Sequence, residues 1–144
     1  MKILLLIGVI LSAGMLLIKP METSAHGTEN HGKMVPTDAQ MKKLHAMMPM
    51  FSYASAGLET ALEKGEITAV KTEAGKILAA IPDLKRSKPH KNIKQRKKFV
   101  GLATNLEEAV SSTVNLGKKG DLAGAKAAFR KVEEACAACH AKFR

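Results

Sequence analysis

Aromatic side chains make up only 3% of this 144-residue chain, with four Phe, one Tyr and no Trp. Large flat side chains normally dominate the energetics of a protein interior, so most of the core here has to be aliphatic. No stretch alternates apolar and polar residues, which excludes a half-buried sheet and any βαβ unit. The cysteines number two, so no second C-x-x-C is available to complete a zinc site. No nucleophile and base constellation and no phosphate-binding glycine loop can be found, which argues against an enzyme. Beyond residue 18 no run is apolar enough to cross a bilayer. Acidic residues are in deficit, 13 against 23 Lys and Arg, for a formal charge of +10.

The N-terminus accounts for the one long apolar run. Lys2 precedes Ile3 to Ile18, Lys19-Pro20 follows, and Thr23-Ser24-Ala25 offers small residues to a signal peptidase. Residues 1–25 read as a secretory signal cut before His26. If left uncut the segment is a membrane anchor, although its apolar run is short of the ~20 residues a span requires. Removal leaves enough chain for one compact domain with one core and too little for two. In an exported protein the excess of positive charge points away from nucleic acid and toward an acidic partner or an anionic membrane surface. Residues 26–36 are polar and lack a hydrophobic period, the pattern of a flexible leader. Its His26 and His31 form a weak metal-binding candidate.

Residues 37–144 carry the 3.6-residue period of helices, and the class is all-α. Helix A is expected to open at Thr37, with Gln40 completing a capping box, and to bury Met41, Leu44, Met48, Phe51, Ser55, Leu58 and Leu62 before ending at Lys64-Gly65. Helix B would bury Ile67, Val70, Ala74, Ile77 or Leu78, and Ile81, and stop at Pro82. Asn92 would cap helix C, whose inward set is Phe99, Leu102 or Ala103, Leu106, Val110, Thr113 and Leu116. Asp121 would cap helix D, which buries Leu122, Ala125, Phe129, Val132, Cys136 and His140 or Phe143. Four such helices with short links imply an antiparallel up-down-up-down bundle.

The last nine residues hold the strongest signal: Cys136-Ala137-Ala138-Cys139-His140, the C-x-x-C-H arrangement at which c-type haem is attached. Two thiols spaced by two residues match the vinyl edge of one porphyrin, and the adjacent imidazole of His140 can ligate the iron. A thioredoxin-like dithiol, half a zinc site and a structural disulfide are the competing readings. The first wants a βαβ context and the second wants two more ligands, and the chain supplies neither. One covalent haem c, placed near the C-terminal helix, would also provide the flat apolar surface that the side chains lack.

A haem motif at the extreme C-terminus of a four-helix chain resembles the class II c-type cytochromes, the cytochrome c′ and cytochrome c-556 family. The likeness extends over Thr37 to Arg144. It is densest in Gly120-Asp121-Leu122, Ala127-Ala128-Phe129, Cys136 to His140 and Phe143-Arg144. It implies a periplasmic monohaem four-helix bundle, often a homodimer, whose members divide by what occupies the sixth iron position. Cytochrome c′ members keep an apolar residue of helix A over an open iron and can bind NO or CO. The c-556 members place a helix A methionine there and carry electrons.

Helix A holds Met41, Met47, Met48 and Met50. Counting back from Lys64-Gly65 by the family interval reaches Pro49, and of its two neighbours only Met48 lies on the apolar seam. Met48 is therefore the expected distal ligand, with His45, one turn earlier, as its rival. Where family c′ members typically carry an arginine, this chain has His45. Pro49 has no amide hydrogen for the His45 carbonyl and predicts a kink facing the iron. His90, in the long break between helices B and C, reads as a surface residue. The functional expectation is electron transfer with His140 and Met48 as axial ligands. The alternatives are gas capture at an open iron and metal handling by His26, His31 and the methionines. From Lys85 to Lys98 eight basic residues occur without an acidic one, either a solvated face or a surface that steers an acidic redox partner.

Overall fold

The computed structural model describes residues 39–144, which form four α-helices: α1 Ala39–Lys64, α2 Ile67–Arg86, α3 Arg96–Lys118 and α4 Leu122–Phe143. The signal segment and its cleavage point, the leader histidines and the Thr37 cap lie outside the described residues. The helices build a four-helix bundle with no strand among the described residues. Consecutive helices pack closely on one another, α1 on α2, α2 on α3 and α3 on α4, whereas α4 meets α1 at few points.

Local chemistry sets the ends of these helices. Gly65 adopts a left-handed φ of 70°, which costs a glycine nothing. The turn then closes by two bonds, Glu66 N–H to Ala61 C=O at 2.9 Å and Gly65 N–H to Leu62 C=O at 3.3 Å, the paired pattern of a Schellman motif. Gly120, at φ 79°, repeats it after α3, with Asp121 N–H on Leu116 C=O at 3.1 Å and Gly120 N–H on Gly117 C=O at 3.0 Å. At the start of α4 the Asp121 carboxylate accepts the Gly124 N–H at 2.8 Å, as expected for a cap.

Two helix boundaries differ from the sequence reading. Pro82 does not stop α2, which continues through it to Arg86. Proline removes one bond, that to the Leu78 carbonyl, but the extra turn buries Leu84. It also places Asp83 against Arg86 and against Lys43 of α1, the latter at 2.8 Å. Those two cations hold the Asp83 carboxyl below the usual carboxylate range. Asn92, in turn, does not cap α3. It sits at a left-handed φ of 54°, and its side-chain amide donates to the Lys142 carbonyl at 2.7 Å. Gln95 takes the cap position of α3 without a side-chain cap bond. Lys91 N–H adds a bond to Phe143 C=O at 3.3 Å, so the α2–α3 connection is fastened to the end of α4.

The core is aliphatic, as the composition requires, with Leu58, Leu62, Val70, Ile77, Ile81, Val110 and Val132 fully enclosed. All four phenylalanines are buried, while Tyr53 is 79% exposed. Phe99, 1% exposed, meets Phe143 edge to face at a centroid distance of 5.2 Å, a favoured geometry for an aromatic pair. Thr113, the buried hydroxyl of α3, satisfies itself on the Ala109 carbonyl at 2.9 Å. Phe99→Ala should cost about 3–5 kcal/mol, a large part of the ~5–15 kcal/mol typical of a whole domain. A chemical-denaturation midpoint checks this, and a loss under ~1 kcal/mol would contradict the packing described.

Candidate haem site

Antiparallel packing gathers one set of segments at a single end of the bundle. These are the first half of α1, the last turn of α2, the α2–α3 connection, the start of α3 and the last turns of α4. Cys136 and Cys139 stand three residues apart on α4, which places them on one face. Both are half-buried and packed against the apolar core, and both are free thiols. His140 follows on the next helical position and is exposed. Of the two inward candidates, His140 and Phe143, it is Phe143 that fills the core.

Burial pushes both thiols above their ordinary pKa. Near Cys136 the Glu133 carboxylate adds to the effect, and Cys139 is raised further by Cys136 itself. A catalytic dithiol needs the opposite environment, electropositive and pKa-lowering. Zinc finds no support either, because among the described residues no group of three or more His, Cys, Asp or Glu side chains gathers to hold a metal ion. A half-buried pair of thiols on one helical face, packed against the apolar core, suits attachment of a large flat apolar group.

On α1, Met47, Met48 and Met50 are each partly buried against the core, and Met41 is partly buried as well. Met48 falls between Leu44 and Phe51, both buried, on the stripe expected from the seven-residue spacing. The helix runs on through Pro49, which is exposed. His45 is exposed too, and its Nε2 atom meets the Nε2 atom of His90. The structure thus pairs two histidines that stand 45 residues apart in the chain, a juxtaposition that no local pattern announces. His90 is exposed, as expected.

Within the basic run the charges divide. Lys85 bonds Glu107 at 2.5 Å, Arg86 bonds Asp83, and Arg96 donates to the carbonyls of Ser87 and Lys85. Lys91, Lys94, Lys97 and Lys98 are exposed around Ile93, itself 50% exposed. Lys98 lies beside Lys142 of α4 and holds that ammonium below the usual lysine pKa. Cations from the connection, α3 and α4 therefore crowd the end of the bundle that carries the cysteines.

Comparison with curated proteins and with solved structures gave no match. A family model described as Cytochrome C' matches residues 28–144. The chain belongs to the cytochrome c′ family, the class II cytochromes with covalently attached haem c.

Proposed function

We propose that this chain is an exported, periplasmic electron carrier in which Cys136 and Cys139 hold the haem by thioethers, His140 ligates the iron and Met48 fills the sixth position. Haem c supplies a one-electron couple between ferric and ferrous iron. The protein's part is to hold both ligands in place and keep water out, so that little rearrangement accompanies each electron. The observation that carries the reading is the position of Met48, half-buried on the same α1 stripe as buried Leu44 and Phe51. His45 is turned to His90, which favours Met48 over its rival. A thioether raises the potential relative to a bis-histidine site. The test is the visible spectrum of the dithionite-reduced protein under carbon monoxide. An unchanged spectrum is expected. Prompt stoichiometric binding would overturn the carrier and put gas capture at an open iron in its place.

The exposed lysines around Ile93 suit a redox partner with an acidic surface. Opposite charge steers encounter from a distance, and salt screens it within about 10 Å at 0.1 M ionic strength. Electron exchange with an acidic partner should slow as ionic strength rises, with Lys94→Glu and Lys97→Glu reducing the salt dependence. A flat response would remove steering from the account.

A further inference from the structure

We propose that His45 and His90 form a surface site for an exchangeable divalent transition-metal ion, copper(II) foremost, held by the two Nε2 atoms and completed by water. Its two ligands come from different elements, α1 and the α2–α3 connection.

The geometry of the rings is the starting point. The two Nε2 atoms are in contact, the ring centroids are 4.5 Å apart and the planes differ by 26°. Rings so arranged meet tip to tip rather than face to face. An imidazole nitrogen donates its lone pair in the ring plane, so both lone pairs are aimed at one small region between the rings. A single proton can satisfy that arrangement by making one nitrogen the donor and the other the acceptor. A metal ion satisfies it by accepting both pairs, at ligand distances of about 2 Å. Since both side chains are exposed, a small rotation opens the pair enough to admit the ion, and solvent can fill its other positions.

The backbone beneath each ring is fixed before any ion arrives. His45 lies one residue beyond buried Leu44 in a long helix. His90 follows Pro89, which is fully buried. The residues just after it are tied to α4 through Lys91 N–H on Phe143 C=O at 3.3 Å and Asn92 on the Lys142 carbonyl at 2.7 Å. Little ordering is left for the ion to impose, and pre-ordering of this kind raises affinity.

The surroundings select the ion. Lys42 and Lys91 flank the pair in sequence, Lys43 is partly offset by Asp83 at 2.8 Å, and no carboxylate contributes to the contact between the rings. A positive field of this sort weakens hard cations that depend on anionic oxygen ligands, such as magnesium and calcium. It penalises least an ion whose binding comes mainly from neutral imidazole. Copper(II) leads the divalent first-row ions for nitrogen sites and accepts a tetragonal nitrogen and oxygen set.

The test uses the oxidised, haem-loaded full chain in a His26→Ala, His31→Ala background, which removes the leader histidines as competing ligands. Copper(II) is titrated calorimetrically, and the copper signal is read by electron paramagnetic resonance. The expected result is one equivalent bound, with hyperfine structure from two nitrogens and an unchanged haem spectrum. His45→Ala and His90→Ala should each lose the stoichiometric binding, and each should lose the rise in melting temperature that copper gives the parent, because an ion bound only to the folded chain stabilises it. Absence of binding in the parent at micromolar copper, or binding that survives either substitution, overturns the proposal. Both side chains are exposed, so neither substitution threatens the fold, and far-ultraviolet circular dichroism verifies this.

Discussion

Replacing Cys136 and Cys139 together with serine should leave no haem on the denatured chain. A thioether needs a thiol to add across a vinyl group, and the chain contains two thiols in all. Serine matches the size of cysteine but its hydroxyl does not add in this way, so His140 and Met48 would remain as the only bonds to the cofactor. Axial bonds are reversible, and unfolding in acid or detergent would release the haem. Mass spectrometry reads the outcome directly: the native protein should be heavier by one haem than its mature polypeptide, and the double variant should not. Each single variant should retain one thioether and the extra mass. The loss should also be felt in stability. Helix α4 meets α1 at few points, and four phenylalanines are a small aromatic complement for the core, so the flat apolar haem has packing to add. A lower melting temperature for the double variant than for the native protein is therefore expected. Haem that stays on the denatured double variant would refute the attachment site.

Met48→Ala should open the sixth position. Alanine has no donor atom, and the space vacated by the half-buried methionine lies on the α1 stripe between Leu44 and Phe51. Loss of the thioether is expected to turn the spectrum from low spin to high spin, to let the reduced protein bind carbon monoxide, and to lower the potential. The fold should tolerate it. A fully buried Met→Ala change costs about 2–5 kcal/mol, and partial exposure places this one toward the bottom of that range or below it. His45→Ala is the companion, and its haem spectrum should match the native one because its ring is engaged with His90. A low-spin spectrum that persists in Met48→Ala would dismiss Met48 and turn attention to the neighbouring methionines.

Features governed by neighbours in sequence were legible before the structure. Gly65 and Gly120 end their helices, Asp121 caps α4, and the 3.6-residue period marks the main line of each apolar stripe, although Met41, Met48, Ser55, Ile67, Leu116, Leu122 and Cys136 are only partly buried and Ala54, Ala61, Ala109, Ala128 and Ala135 join the core. The covalent haem c that the C-x-x-C-H motif points to was legible too, from five consecutive residues, and the family match bears it out. Misreadings occurred where a distant contact outweighed a local rule. Pro82 weakens its helix by one bond, yet burial of Leu84 and the Asp83–Lys43 pair carry α2 a further turn. Asn92 has the residue type and spacing of a helix cap, but its amide is drawn 50 residues along the chain to the Lys142 carbonyl. The meeting of His45 with His90 is of the same kind, because only the antiparallel packing of α1 and α2 brings the start of one helix to the connection after the other.

The most direct test of the axial assignment is the proton magnetic resonance spectrum of the reduced full-length protein. A methionine bound to the iron holds its methyl group over the face of the porphyrin, where the ring current shifts its resonance far upfield of every other methyl. One such resonance is expected in the native protein and none in Met48→Leu. An upfield methyl that survives Met48→Leu, or a native spectrum without one, would contradict the assignment.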